Sequence, residues 1–182
     1  MRPPSAPYRR LAQRELYRNP WVAVHVHEIV HPTGAAGEHI AIATGRASGV
    51  LVVDGEAFVL ARQARFAADA PMLEIVKGGA DEGETALACA QRELREELGL
   101  VATDWMPLGV AYEIPSIVEH PVSLFVARSL RKVATAPERV EAIDPVRIPI
   151  DDAYRAARDG RIDDAVTLVA LLRYLIISEK RS

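Results

Sequence analysis

One segment limits the possible folds more than any other: Gly78 to Leu100, GGADEGETALACAQRELREELGL, where a glycine-bearing loop runs into a helical pattern. The pattern predicts a helix from about Glu84 to Leu98. Gly99 closes it, because glycine accepts the positive φ of a helix C-cap without steric penalty. Around this helix the chain reads as strands. WVAVHVHEIV, from Trp21, alternates and is rich in valine; PTGAAGE is a turn and HIAIATG its partner strand. VLVV and AFVLARQAR flank Asp54-Gly55-Glu56, a tight-turn signal. Residues 71–83 read as a loop.

Further strands are expected at LGVAYEI, VSLFVARSL and PVRIPI. A helix capped by Asp151 should run to about Asp159 and stop at Gly160. Asp163 or Asp164 can cap a last helix through VTLVALLRYLII. Residues 1 to about 15, with their prolines and arginines, predict a mobile lead-in. Strands, one helix, more strands and then helices imply a mixed α+β fold or an α/β/α sandwich.

Totals narrow the function. A chain of 182 residues suits one domain with an ample core, or one domain with an N-terminal extension. Hydrophobic residues at 49% and charged residues at 26% are ordinary for a soluble globular protein. The net charge of -3 argues against a general partner of nucleic acid or anionic membrane. An anionic small substrate must then be met by local cations or a metal. The single cysteine, Cys89, excludes an internal disulfide and a cysteine-based zinc site. It reads as a small packing residue. MRPPSAPYRR lacks the apolar core of a secretory signal, and no run approaches the ~18 apolar residues of a membrane span. A cytoplasmic location is expected. His25 and His27 share a strand face, yet no third ligand stands close by in the sequence, so they read as satisfied or exposed strand residues.

The helical segment carries an electrostatic oddity. With Glu93 centred on a helical wheel, Glu97 falls ~40° to one side and Glu96 ~60° to the other. Ala86, Cys89 and Ala90 lie under the same face, and Leu87, Leu94 and Leu98 form the expected core stripe beside it. Like charges at these spacings cost a few tenths of a kcal/mol per pair. A hard divalent cation, which prefers oxygen ligands, would turn that repulsion into affinity. The plain alternative is a solvated acidic face bridged by Arg92 and Arg95.

The loop decides between them. Gly78, Glu84, Arg92, Glu93, Leu94, Glu96, Glu97, Gly99 and Leu100 fill every fixed position of a pattern that resembles the Nudix box. The resemblance implies an α/β/α sandwich with a mixed central sheet and an N-terminal antiparallel strand extension. It also implies hydrolysis of a nucleoside diphosphate linked to another group, assisted by Mg²⁺ or Mn²⁺. By position, Glu93 and Glu97 resemble metal ligands, with Glu96 a further ligand or a water-orienting group. The backbone carbonyl of Lys77 resembles the one that completes the metal shell. Arg92 and Glu84 resemble an ion pair that holds loop to helix. In the family the metals offset pyrophosphate charge, polarise phosphorus and lower the pKa of a bound water.

Flanking segments resemble the ADP-ribose pyrophosphatase branch, whose members split ADP-ribose into AMP and ribose 5-phosphate. Pro115 stands fifteen residues after Leu100, where that branch carries a proline. ARQARFAADAPMLEIVKGGADEGE resembles its entry to the box, and Arg65 there resembles an arginine that grips the diphosphate. Trp21 is a candidate to stack on adenine, against the plainer role of a core tryptophan. Glu141 and Glu138 are candidates for the general base, against the plainer role of solvated loop acids. The resemblance implies residues 1–45 as an extension that packs in a homodimer, and 46–182 as the hydrolase domain. Its departures, Ile114-Pro115-Ser116, Lys77 for a small residue and Val76 for proline, leave the sugar end open. A broader nucleoside diphosphate sugar hydrolase, such as one acting on ADP-glucose, is the nearest rival; a non-cleaving ADP-ribose sensor is the rival of another class.

Overall fold

The computed structural model describes residues 8–133 and 143–179. Among them the order is β1 (Arg9–Arg18), β2 (Ala23–Val30), β3 (Ala36–Ala43), β4 (Ala47–Asp54), β5 (Ala57–Arg65), β6 (Ala70–Glu74), β7 (Val76–Gly79), α1 (Ala86–Leu98), β8 (Leu100–Tyr112), β9 (Val118–Glu119), β10 (Pro121–Lys132), β11 (Ile143–Pro149), α2 (Ile150–Arg158) and α3 (Ala165–Glu179). None of these helices is long and apolar enough to cross a membrane.

Two compact units result. One takes the chain up to Gly45 together with Glu113–His120; the other takes Arg46–Tyr112 and the chain from Pro121 on. The first unit holds a sheet in the order β1-β2-β3-β9. From Arg9 the expected mobile lead-in is instead strand β1, paired antiparallel with β2. Every residue of β1 is exposed. Its order therefore comes from backbone pairing, which leaves no apolar alternation in the sequence to read.

The second unit holds the main sheet, in the order β11-β5-β4-β10-β8, with β6 on β5 and β7 on β4. β4 and β10 run parallel, whereas the other pairings are antiparallel, so the sheet is mixed. The expected loop over 71–83 is strand for more than half its length. Leu73 pairs with Arg62 and Lys77 with Gly49, and even Gly78 and Gly79 are paired, with Ser48 and Ala47. Gly78 marks a close approach to the helix and not a break in the sheet. The later strands are also longer than the alternating cores that announced them, because cross-strand pairing carries β8 through Asp104 and Pro107.

Strand alternation gives the sheet two apolar faces. Leu51 and Val53 of β4, with Leu124 and Val126 of β10, join Phe58, Leu60, Ala153, Ala156, Val166, Ala170 and Leu171 in the core under α2 and α3. Val50, Val52 and Ala127 point the other way and join Val76, Ala90 and Leu94 under α1. That is an α/β/α sandwich.

The helix ends differ in part from expectation. α1 starts at Ala86 because Thr85 is the N-cap, its Oγ1 accepting the Ala88 N–H at 3.2 Å. Gly99 ends it at φ 61°, with its N–H bonded to the Arg95 carbonyl. Leu87 is 38% exposed, so the expected Leu87–Leu94–Leu98 stripe is rotated; Cys89, Ala90, Glu93 and Leu94 are the buried residues of α1. Asp151 does not cap α2. Pro149 takes the N-cap position, and Asp151 lies in the first turn, where its charge suits the helix dipole. Of the two candidates for α3, Asp164 is the cap.

Candidate functional site

The site begins with the contact between β7 and α1. β7 pairs with β4, and buried Ser48 of β4 donates from Oγ to the Ala86 carbonyl at 2.7 Å, fixing the first turn of α1 over the sheet. Glu93 is thereby laid against Gly78, with only 9% of its surface exposed. A Cβ at position 78 would run into the Glu93 carboxylate itself. Only glycine leaves room for a buried acid here. Cys89 lies beneath, fully buried, its Sγ 3.5 Å from the Gly78 carbonyl; burial pushes its thiol pKa up, as suits a packing residue.

Arg92 ties the loop to the helix. Its Nε and Nη2 each donate to Glu84 at 3.1 Å, and Nη2 also reaches the Gly79 carbonyl at 2.7 Å. The side-chain hydrogen bond from Arg92, followed by the Asp81 backbone N–H, holds the Glu84 carboxyl below the usual carboxylate range. Arg92 Nη1 stands between the acids, 2.6 Å from Glu93 and 3.0 Å from Glu96. Glu84, with these two acids adding to its effect, strengthens the hold of Arg92 on its proton.

The donors this stretch offers are hard oxygens: the carboxylates of Glu93, Glu96 and Glu97, which helical spacing puts on one side of α1, and the backbone carbonyls of the adjoining strand β7. In type they match a divalent cation such as Mg²⁺ or Mn²⁺. The glycine cradle for Glu93 matches it too, since it brings a strand edge and a buried acid together. Among the described residues no three His, Cys, Asp or Glu side chains converge as a metal group. Arg92 occupies the space between Glu93 and Glu96. Beside the cradle a cleft of about 550 Å³ is lined by Arg95, Glu96, Ala102 and Trp105 among others.

The remaining sequence candidates are spread more widely. Arg65, at the end of β5, is clasped by Glu74: Nε to Oε1 at 3.0 Å and Nη2 to Oε2 at 2.7 Å. Glu74 also receives Lys77 Nζ at 3.2 Å, so Arg65 is linked to the strand edge at Gly78. Pro115 and Trp21 belong to the other unit. Pro115 lines a groove there with His27, His39 and Glu119. Trp21 is 77% exposed in the turn before β2, which rules out the core role. Glu138 and Glu141 lie outside the described residues. His25 and His27 are buried, and His25 Nδ1 meets Gln13 Nε2 at 2.7 Å, in keeping with satisfied strand histidines.

Sequence reasoning missed Glu74 and Thr167 and took Asp164 for a cap alone. Glu74 is only 2% exposed. Its signal was available: one acid inside the apolar run Met72-Leu73-Glu74-Ile75-Val76 needs a buried cation, and Lys77 follows at once.

Comparison with known proteins gives the family and the fold. The profile of the NUDIX domain matches residues 43–169. An ADP-ribose pyrophosphatase of Bacillus subtilis (strain 168) is 24% identical over 172 residues, covering 93% of this chain and 92% of that one. A CMP-5'-(N-acetyl-N-hydroxy-3-aminopropyl)phosphonate hydrolase of Streptomyces rubellomurinus is 26% identical over 164 residues, covering 90% and 80%. Among solved structures, one described as "Crystal structure of ADP compounds hydrolase" superposes with a TM-score of 0.87 over 99% of this chain and 98% of that one. At 20% identity that likeness shows the fold.

Proposed function

The chain belongs to the Nudix family, and on that premise we propose that it hydrolyses the pyrophosphate bond of ADP-ribose to give AMP and ribose 5-phosphate. The observation that carries the reading is the cradle, where Gly78 gives up its side chain so that the Glu93 carboxylate can lie against the strand edge. Glu93, Glu96, Glu97 and the Lys77 carbonyl would hold Mg²⁺ or Mn²⁺. When bound, the ion supplies offsetting charge for the diphosphate and polarises phosphorus. Glu96 and Glu97 are the residues of this group that can also orient an attacking water.

Arg65 is suited to the diphosphate because Glu74 fixes the plane of its guanidinium, so little side-chain entropy remains to be lost on binding. Glu138 and Glu141 are the candidates to take the proton from water. Trp21 and Pro115 are the candidates for the adenosine and sugar ends. Residues 1–45 are read as the element that builds a homodimer, and the location as cytoplasmic.

A broader nucleoside diphosphate sugar hydrolase is the second reading. What favours it is the pair of departures beside the cradle, Lys77 and Val76, together with a relative named for a CMP-linked phosphonate. A sensor that binds without cleaving is less favoured, since every fixed position of the box is filled. Incubation with Mg²⁺ or Mn²⁺ and a panel of ADP-ribose, sugar nucleotides and dinucleotides separates the three. A clear preference for ADP-ribose is expected, with AMP as product. Equal turnover across the panel would replace the first reading by the second, and tight binding without turnover would replace both by the third.

A further inference from the structure

We propose that Asp164 is a positioning residue for the metal cradle: it holds the Lys77 side chain, and through it the strand edge on which Glu93 rests. This deepens the reading of that edge as metal-binding and rests on it.

The observations form one connected network. Lys77 Nζ lies 2.5 Å from Asp164 Oδ1 and 3.2 Å from Glu74 Oε2. Glu74 in turn clasps Arg65, 2.7 Å from its Nη2. The other oxygen of Asp164 accepts the Thr167 backbone N–H at 2.9 Å and its hydroxyl at 2.6 Å. That hydroxyl oxygen accepts the Ile75 N–H at 3.0 Å. Three of the side chains are largely out of water, with 2% of Glu74, 10% of Asp164 and 15% of Lys77 exposed, while Arg65 at the rim keeps 34%. Two cations and two carboxylates balance, and burial, which alone would raise the Asp164 pKa, is outweighed by the Lys77 ammonium and the Thr167 hydrogen bonds, so the carboxyl is held low.

A network of this kind is a poor device for stability alone. Withdrawing three charges from water costs several kcal/mol per ion, and a well-packed apolar set often does as well. What charge-assisted bonds add is fixed length and direction. The direction matters here because Lys77 is the neighbour of Gly78, and Gly78 has no slack against Glu93. A shift of well under an ångström at this edge changes the distance between its carbonyls and the acids of α1. Supporting side chains of this sort typically tune metal affinity by about 10–100-fold. The anchor belongs to α3, 87 positions further along the chain. The helix on the far side of the sheet thus reaches through to the metal edge.

Asp164→Asn keeps an oxygen for the Thr167 cap and removes the charge that faces Lys77. Mn²⁺ binding to the full chain without substrate, read from the EPR signal of free Mn²⁺, tests the proposal alongside thermal unfolding. Asp164→Asn is expected to weaken Mn²⁺ binding about tenfold, and to raise the metal concentration for half-maximal turnover by the same factor. Leu171→Ala, in the α3 core one turn beyond Thr167 but taking no part in the polar network, should lower the unfolding temperature at least as far and leave Mn²⁺ affinity unchanged. Wild-type affinity in Asp164→Asn, or an equal loss in Leu171→Ala, would overturn the positioning role and leave the metal reading standing. If Asp164→Asn does not fold, Lys77→Met removes the tether from its other end, with the same loss expected and the same result counting against it. A wild-type chain that binds no Mn²⁺ would remove the metal reading itself, and this proposal with it.

Discussion

The two faces of the main sheet are built from the same strands and do different work. Under α2 and α3 lies the larger core, with Phe58 at its centre meeting Tyr154 and Tyr174 edge-on at ring distances of 6.0 and 5.4 Å. α3 is also fastened by Arg173, which donates to the carbonyls of Leu108 and Val110 at 3.0 Å each. Leu108 is the residue skipped in the pairing of β8 with β10, so Arg173 satisfies a bulge that the ladder leaves open. Under α1 the core is small, and Glu93 is buried among the residues that face the sheet. The α2–α3 face is apolar except where Asp164 and Thr167, at the start of α3, meet Lys77 and Ile75; the α1 face gives part of its interior to Glu93. Alternate residues along β4 and β10 thus serve a large core on one side and the acid-bearing helix on the other, with the Asp164–Lys77 pair as the link between them.

The sharpest test of that division is Glu97→Gln, which is expected to cut turnover about a thousandfold, about 4 kcal/mol in the barrier, with little change in unfolding temperature. Removing a like charge from the acid cluster relieves repulsion, so a marked fall in stability would break the comparison. Leu171→Ala is the mirror experiment. Truncating this buried residue should remove about 3 kcal/mol of stability, seen in urea unfolding, while kcat at 25 °C stays as in the wild type.

Alkaline titration sharpens the same face. Burial first, then the neighbouring Tyr174, Glu179 and Asp151, push the Tyr154 phenol up to about 12. The unfolded chain releases that proton from about pH 10. Between these values unfolding releases a proton, so stability falls as pH rises, and Tyr154→Phe should flatten that part of the curve. The smallest effect belongs to Leu87→Ala. On an exposed position of α1 it should change stability by no more than about 0.5 kcal/mol and leave turnover untouched. A larger change would mean that the leucine stripe first read from the helical wheel is core after all.

What the sequence disclosed follows from how local each signal is. The tight turn at Asp54-Gly55, the Gly99 cap and the order of strands and helices are written in neighbouring residues, and so is the box from Gly78 to Leu100. β1 was not legible, because a strand exposed on both sides carries no alternation. β7 was hidden by its glycines, and the role of one of them, Gly78, is set by a partner, Glu93, fifteen positions away. The expected ion pair of Arg92 with Glu84 lies eight positions apart within one motif, and it is present. The clasp of Asp164 on Lys77 spans 87 positions, and nothing local to either residue announces it.

The parallel pairing of β4 with β10 sets a condition on how the chain is made. Ala47 to Val52 meet Val122 to Ala127, so the central strand has an open edge until some seventy-five further residues exist. A hairpin of β4 with β5 can form early, since its partners are close in the chain, whereas the parallel join must wait for a long loop to close. Through that interval Val50 and Val52 have α1 to cover them but lack Ala127 beside them. A nascent chain on the ribosome would therefore carry the whole acidic motif well before it has the sheet that holds the motif still.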